Sequence, residues 1–190
     1  MKICGLTDEA GIRAAIDAGT DAVGFVFHER SPRNISVELA KHLAKNLPAS
    51  VLRVAVTMHP DRALWDLIQT TLRPDVVQTD IEDLRYLEVD TAIERWPVIR
   101  EGSVPNSVPE HFVYEGPKSG QGETVDWNIA AGYSQRGRMI LAGGLNSQNV
   151  ADAIRMVRPF GVDVSSAVES VPGRKDPAKI KTFVEAAKAA

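Results

Sequence analysis

A single cysteine, Cys4, stands in 190 residues. It excludes an internal disulfide, and four scattered histidines beside one cysteine make no zinc-ligand spacing. Aromatic residues are scarce at 6%. Neither sign of charge prevails, since 22 Lys and Arg face 25 Asp and Glu for a formal net charge of −3. That balance argues against a surface holding nucleic acid or anionic lipid by charge alone. No apolar run approaches the roughly 20 residues of a membrane helix. The start of the chain meets Asp8 and Glu9 before a signal-peptide core could build up. Nucleic acid and membrane are therefore not expected as partners, and the expected location is the cytoplasm. What is present is ordinary for a globular chain, 44% hydrophobic and 25% charged. At this length one domain, residues 1–190, is expected to bury its core without covalent staples.

Short apolar runs alternate with helical periodicity. Asp21 to Phe27 and Val51 to Val56 are nearly continuous apolar runs of strand length. Strands buried on both faces of a parallel sheet read this way. Lys2-Ile3-Cys4, Asp75 to Gln78, Trp96 to Arg100, His111 to Glu115, Arg138 to Ala142 and Phe160 to Val164 are shorter versions. Between them, Val150, Ala153, Ile154 and Val157 share one helical face, as do Ile180, Phe183, Val184 and Ala187. Leu64, Leu67 and Ile68 begin a third stripe, and Leu39, Leu43 and Leu47 a fourth. Gly19 suits the end of a first helix, and Asp176-Pro177 the start of a last one. Glu101 to Glu110 carries two Pro, one Gly and no apolar stripe, so the helix after strand five is expected shortened or missing. Eight strands and about seven helices follow. Such a chain closes into a (β/α)8 barrel or lies as an open doubly wound sheet. The strand count favours a pared-down barrel, typical ones running to about 250 residues.

In a barrel the chemistry gathers at the carboxyl ends of the strands. That rule selects Cys4, the Ser31-Pro32-Arg33 loop, Gln78-Thr79-Asp80, Arg100, Glu115, Gly143-Gly144 and Ser165-Ser166. Ala142-Gly143-Gly144-Leu145-Asn146 lets the backbone approach a ligand and then opens a helix, and Ser165-Ser166 offers hydroxyls and N–H groups at the next strand end. Adjacent loops of this kind hold phosphate in many barrels. Taken alone, the glycines read equally well as a tight turn and the serine as a helix cap. Cys4 alone reads as an inert core thiol, and Arg33 as a solvated loop charge. Glu115 is less ordinary, because a carboxylate ending Phe112-Val113-Tyr114 is costly to bury without a partner.

Together these segments resemble phosphoribosylanthranilate isomerase, a TIM-barrel enzyme of tryptophan biosynthesis. The resemblance rests on Lys2 to Thr7 (KICGLT), Gly19 to Phe27 (GTDAVGFVF), Ser31 to Ser36 (SPRNIS), Leu141 to Val150 (LAGGLNSQNV) and Arg158 to Lys175 (RPFGVDVSSAVESVPGRK). It implies an Amadori rearrangement of N-(5′-phosphoribosyl)anthranilate to 1-(2-carboxyphenylamino)-1-deoxyribulose 5-phosphate, with no cofactor and no metal. The implied base is Cys4. Counting back from Val125-Asp126-Trp127 puts Glu115 at the place of the general acid, while Asp126 reads as a helix N-cap. Arg33 falls near the anthranilate, the phosphate grips fall on Gly143, Gly144, Ser165 and Ser166, and Asp163 stands beside them. The implied partner is a small phosphoribosyl substrate, and the protein is expected as monomer or homodimer.

Four positions depart from the family pattern. Glu115 replaces Asp. Val77-Gln78-Thr79-Asp80 ends strand four where the family has His and Gly. Ser119-Gly120-Gln121-Gly122 forms the loop before the next helix, and Ala167 stands where Gly is usual. A related phosphoribosyl sugar isomerase, of the histidine-pathway or dual-substrate kind, is a competing reading. Cys4, where those enzymes carry a carboxylate, counts against it. A barrel that binds a phosphate ester without turnover is the other.

Overall fold

The computed structural model describes residues 1–103, 105, 107–117 and 124–190. Eight parallel strands close into a barrel: β1 Lys2–Cys4, β2 Ala22–Phe27, β3 Leu52–Thr57, β4 Val76–Asp80, β5 Glu94–Arg100, β6 His111–Glu115, β7 Arg138–Leu141 and β8 Gly161–Val164. Closure comes from β1 pairing with β8, Lys2 opposite Asp163 and Ile3 opposite Val164. The open doubly wound alternative is thereby excluded. Because side chains alternate along a strand, one residue in two points to the barrel axis. Ala22, Val54, Val76, Trp96, Val98, Val113, Ile140 and Ala142 fill that interior. The opposite parity, including Ile3, Phe25, Val77, Ile99, Phe112 and Val162, packs outward in the larger core shared with the helices.

Six α-helices lie among the described residues: α1 Glu9–Ala18, α2 Val37–Ala44, α3 Arg62–Thr71, α4 Trp127–Ser134, α5 Val150–Val157 and α6 Pro177–Lys188. Their ends carry the expected chemistry. Gly19 closes α1 at φ 76°, Asp126 caps α4 through the Asn128 and Ile129 N–H groups, and Asp176 caps α6 with Pro177 following. None of the six is long and apolar enough to cross a membrane.

The count is one helix short of seven. No helix is seen in the described part of the β5–β6 connection, as expected, but β4 is also followed only by a 3-10 turn, Asp83–Arg85. The cause is the Asp83 carboxylate, which accepts from Thr79 Oγ1 at 2.5 Å, His59 N at 2.9 Å and Tyr86 Oη at 3.1 Å. Short polar side chains that satisfy local groups in this way compete with helix formation. Two stripes also face differently from their sequence reading. In α2 the buried residues are Val37, Ala40 and Leu43 while Leu39 is exposed, and in α3 Trp65 and Ile68 are buried while Leu67 is half exposed.

After β8 the chain makes a 3-10 turn, Ser166–Val168, and then a small antiparallel hairpin, β9 Glu169–Val171 with β10 Arg174–Lys175. The sequence reading has no hairpin here. Its turn glycine, Gly173 at φ 85°, accepts at its carbonyl from Thr7 Oγ1 at 2.7 Å. A Cβ on Gly173 would lie 2.3 Å from the Pro32 carbonyl. The hairpin thus straps the loops after β1 and β2 together over one end of the barrel.

Candidate active site

Inward parity carries the polar residues as well as the apolar ones. Towards the carboxyl ends of the strands the apolar stack gives way to Cys4, Gln78, Asp80, Arg100, Glu115, Asp163 and Ser165, which line one cavity of about 390 Å³. Arg33 and His28 join its wall from the loop after β2. A second, smaller cavity of about 60 Å³ adjoins it, lined by Gly143, Gly144, Leu145, Ser165 and Ser166. Glu115, Asp163 and Ser165 border both. The eight residues named from the sequence therefore line two adjoining cavities at one end of the barrel.

The small cavity is bounded by backbone. Gly143 and Gly144 adopt φ of 87° and 62°, the left-handed region that glycine occupies without steric cost. A Cβ on Gly144 would lie 2.7 Å from the Thr124 backbone nitrogen, so the loop also needs the missing side chain. Asn149 fixes the turn, donating from Nδ2 to the Gly144 carbonyl at 2.9 Å. Helix α5 starts only at Val150, so the glycines do not themselves open it. Ser165 is not a side-chain helix cap either. Its hydroxyl donates to the Cys4 carbonyl at 3.0 Å, joining β8 to the end of β1. The Ser119-Gly120-Gln121-Gly122 loop lies outside the described residues.

Cys4 sits above a buried ion pair, Lys2 Nζ to Asp163 Oδ2 at 2.7 Å. Burial pushes its thiol up, the Lys2 ammonium pulls it down, and Asp163 pushes it up again, leaving it above its ordinary value. Burial is thus the leading cause of the upward shift, while among the charges Lys2 and Lys175 favour the thiolate and Asp163 opposes it. Across the cavity Glu115, its side chain 13% exposed, stands 3.4 Å from Arg100 Nη2. Arg100 Nη1 is in turn held by the buried Asp80 at 2.5 Å. Asp80 also lies 3.4 Å from His59 Nε2. This Asp80–Arg100–Glu115 chain was invisible in the sequence, because its members come from three strands.

Arg33 forms a bidentate pair with Glu169, 2.7 Å from Nε and 2.9 Å from Nη2. Lys175 Nζ reaches the same carboxylate at 2.8 Å. Burial pushes Glu169 up, but these two cations outweigh it and hold the carboxyl below its ordinary range. The solvated loop charge of the bland reading is thus a fixed, buried guanidinium on the wall of the cavity. Glu169 and Lys175 were not singled out from the sequence. Among the described residues, the buried side-chain atoms Thr57 Oγ1, Gln78 Oε1 and Asp163 Oδ1 have no hydrogen-bond partner, and all three belong to residues lining this cavity. Unpaired buried polar atoms are costly, and a ligand with hydroxyl groups would relieve that cost.

Residues 1–186 match the sequence model of the N-(5′-phosphoribosyl)anthranilate (PRA) isomerase family. The chain belongs to this family. An N-(5′-phosphoribosyl)anthranilate isomerase of Parvibaculum lavamentivorans is 38% identical, the match covering 100% of this chain and 98% of the relative. The enzyme of that name from Listeria monocytogenes is 37% identical over 99% of this chain and 98% of its own. Among solved structures, TrpF from Jonesia denitrificans superposes with a TM-score of 0.84 at 35% identity, covering 99% of this chain and 96% of that one. A PRA isomerase crystallised with reduced 1-(o-carboxyphenylamino)-1-deoxyribulose 5-phosphate gives 0.82 at 33% identity, covering 100% and 98%. PRA isomerases are thus similar to this chain from end to end, and the barrel found here is the barrel they share.

Proposed function

We infer that this chain converts N-(5′-phosphoribosyl)anthranilate to 1-(2-carboxyphenylamino)-1-deoxyribulose 5-phosphate, a step of tryptophan biosynthesis in the cytoplasm. The observation that carries the reading is the family match over residues 1–186. The site supports it: a thiol and a carboxyl line one cavity, and a glycine-serine cradle lines a second that shares Glu115, Asp163 and Ser165 with it. The substrate phosphate lies in the Gly143-Gly144 and Ser165-Ser166 cradle, where backbone donors suit an anion. Glu115 gives its proton to the ribose ring oxygen as the C1′–O bond breaks. The anilino nitrogen supplies the electron pair that makes the protonated Schiff base. Cys4, as thiolate, then takes the C2′ proton; the C–H electrons form C1′=C2′ and the imine pair returns to nitrogen. The C1′=C2′ pair of the enolamine takes a proton at C1′ while the 2′-hydroxyl gives up its own, so the O–H pair forms the ketone and the tautomerisation is proton-neutral. Each positioned acid or base of this kind is worth about 10²–10⁴ in rate. Arg33, held in plane by Glu169, faces the anthranilate carboxylate, and Asp163 Oδ1 accepts from a ribose hydroxyl. All this takes place within one barrel domain on a small phosphorylated sugar, with nucleic acid and membrane taking no part.

The test is turnover by the purified chain, followed spectroscopically with phosphoribosylanthranilate and, separately, with the phosphoribosyl substrate of the histidine pathway. Activity on the first substrate is expected. Activity on the second alone, or binding without turnover of either, overturns the reading.

A further inference from the structure

Lys2 is a buried polar residue that the proposed chemistry leaves without a task. It is 2% exposed, one of the largest fully buried side chains, and it points to the barrel axis from the same strand and the same parity as Cys4. Its ammonium binds Asp163 Oδ2 at 2.7 Å, and Lys2 and Cys4 each favour the other's charged form. Gly24 shows how tightly the two are set together. A Cβ there would lie 2.9 Å from Cys4 Sγ and 3.2 Å from Lys2 Cε, so one missing methyl makes room for both. Beneath them the interior is apolar, with Ala22, Trp96 and Ile140 close by. A cation in such a place costs several kcal/mol of desolvation, and a buried pair replaced by apolar residues is often no less stable. Stability alone therefore does not call for a lysine on this floor.

We propose that Lys2 is the positioning residue of the base: its ammonium, anchored by Asp163, is the counter-charge beside which Cys4 becomes a thiolate. The inference rests on Cys4 being the base. Every charged group facing the thiol enters the argument. Lys2 on β1 and Lys175 on β10 favour the thiolate, Asp163 on β8 opposes it, and β2 presents only Gly24. Arg33, whose side chain covers Gly5, is neutralised by Glu169. With the thiol protonated, the Lys2–Asp163 pair is neutral; proton loss from Cys4 leaves two anions sharing one buried cation. Burial already opposes the thiolate, so without Lys2 both burial and Asp163 would stand against it. The unpartnered Asp163 Oδ1 adds a coupling to substrate. A ribose hydroxyl donating to that oxygen draws charge from the carboxylate and lets Lys2 act more fully on the thiol, so the base strengthens as the site fills.

Cys4 is the only cysteine of the chain, so the pH midpoint of its alkylation by iodoacetamide reads its ionisation, whatever access does to the absolute rate. The rate is measured against pH for the wild type, Lys2→Met, Lys2→Arg and Asp163→Asn, with the kcat profile in parallel. Lys2→Met is expected to raise the alkylation midpoint by at least about one pH unit. Lys2→Arg, which keeps the charge, stays nearer the wild type. Asp163→Asn moves the midpoint the opposite way, downward, with a urea midpoint close to the wild type's, since loosening of the barrel would hydrate the thiol and lower its midpoint too. A midpoint unchanged or lowered in Lys2→Met overturns the proposal. Should Lys2→Met fail to fold, the double variant Lys2→Met, Asp163→Asn, which removes the buried pair together, takes its place, and a midpoint no higher than that of Asp163→Asn overturns it. Alkylation needs no turnover, so the two readings fail separately. An inert wild type overturns the function, whereas a fixed midpoint in an active enzyme overturns the role of Lys2.

Discussion

A thiol ending β1 and a carboxyl ending β6 can serve one substrate only if both point to the barrel axis, and strand parity ensures that they do. Cys4→Ser keeps the shape but loses the acidity, and a fall of at least about 10²-fold in kcat is expected. Glu115→Gln is expected to abolish most turnover while substrate binding, followed by titration, stays largely intact; Glu115→Asp retains activity. Asp126 is the control, because it caps α4 and does not line the site. Asp126→Ala should cost about 1 kcal/mol in urea unfolding and leave kcat alone. Normal turnover in Glu115→Gln together with a dead Asp126→Asn would move the acid to the other carboxylate. Glu115 was legible from its position after an apolar run. Its tie to Arg100, and Arg100's to Asp80, was not, because an ion pair across strands leaves no local signal.

Among the elements, the hairpin of β9 and β10 has the clearest pH signature. Glu169 on this hairpin is held below its ordinary value of 4.5 despite its burial, through Arg33 and Lys175. A carboxylate with a lowered folded value contributes stability that is present above its unfolded value and lost as pH falls through the folded one. The urea midpoint is therefore expected to fall as the pH drops below about 4.5. Glu169→Gln should weaken that dependence and cost about 3–5 kcal/mol at neutral pH, since it strands two buried cations. A midpoint as steep in the variant as in the wild type would refute the assignment. Helix boundaries were readable because caps are local: Gly19, Asp126 and Asp176 act within a few residues of themselves. The faces of α2 and α3 were not, because a leucine at the right spacing is buried only if a neighbouring layer covers it, and Leu39 and Leu67 have none.

For the molecule as a whole, the proposed phosphate cradle joins the ends of β7 and β8, and Ser165 ties β8 to β1 across the closure of the barrel. Anion binding there should stabilise the entire barrel, by about 2.7 kcal/mol when inorganic phosphate is present at 100 times its Kd. Gly144→Val, forced into a left-handed turn against Thr124, should erase that gain; a rise in thermal midpoint that survives the variant would place the phosphate elsewhere. The sequence by itself determined the order of the eight barrel strands, the weak helix after strand five, and the motifs that mark the family, because periodicity, caps and turn residues act over a few positions. Only the tertiary structure decided that the sheet closes, that Asp83 replaces a helix with a turn, and that a hairpin straps the loops above the site. It alone placed Lys2 beneath Cys4 with Asp163, 161 positions away. Closure sets residues side by side that no local pattern links, and in a buried interior the charge of such a neighbour decides what a thiol can do.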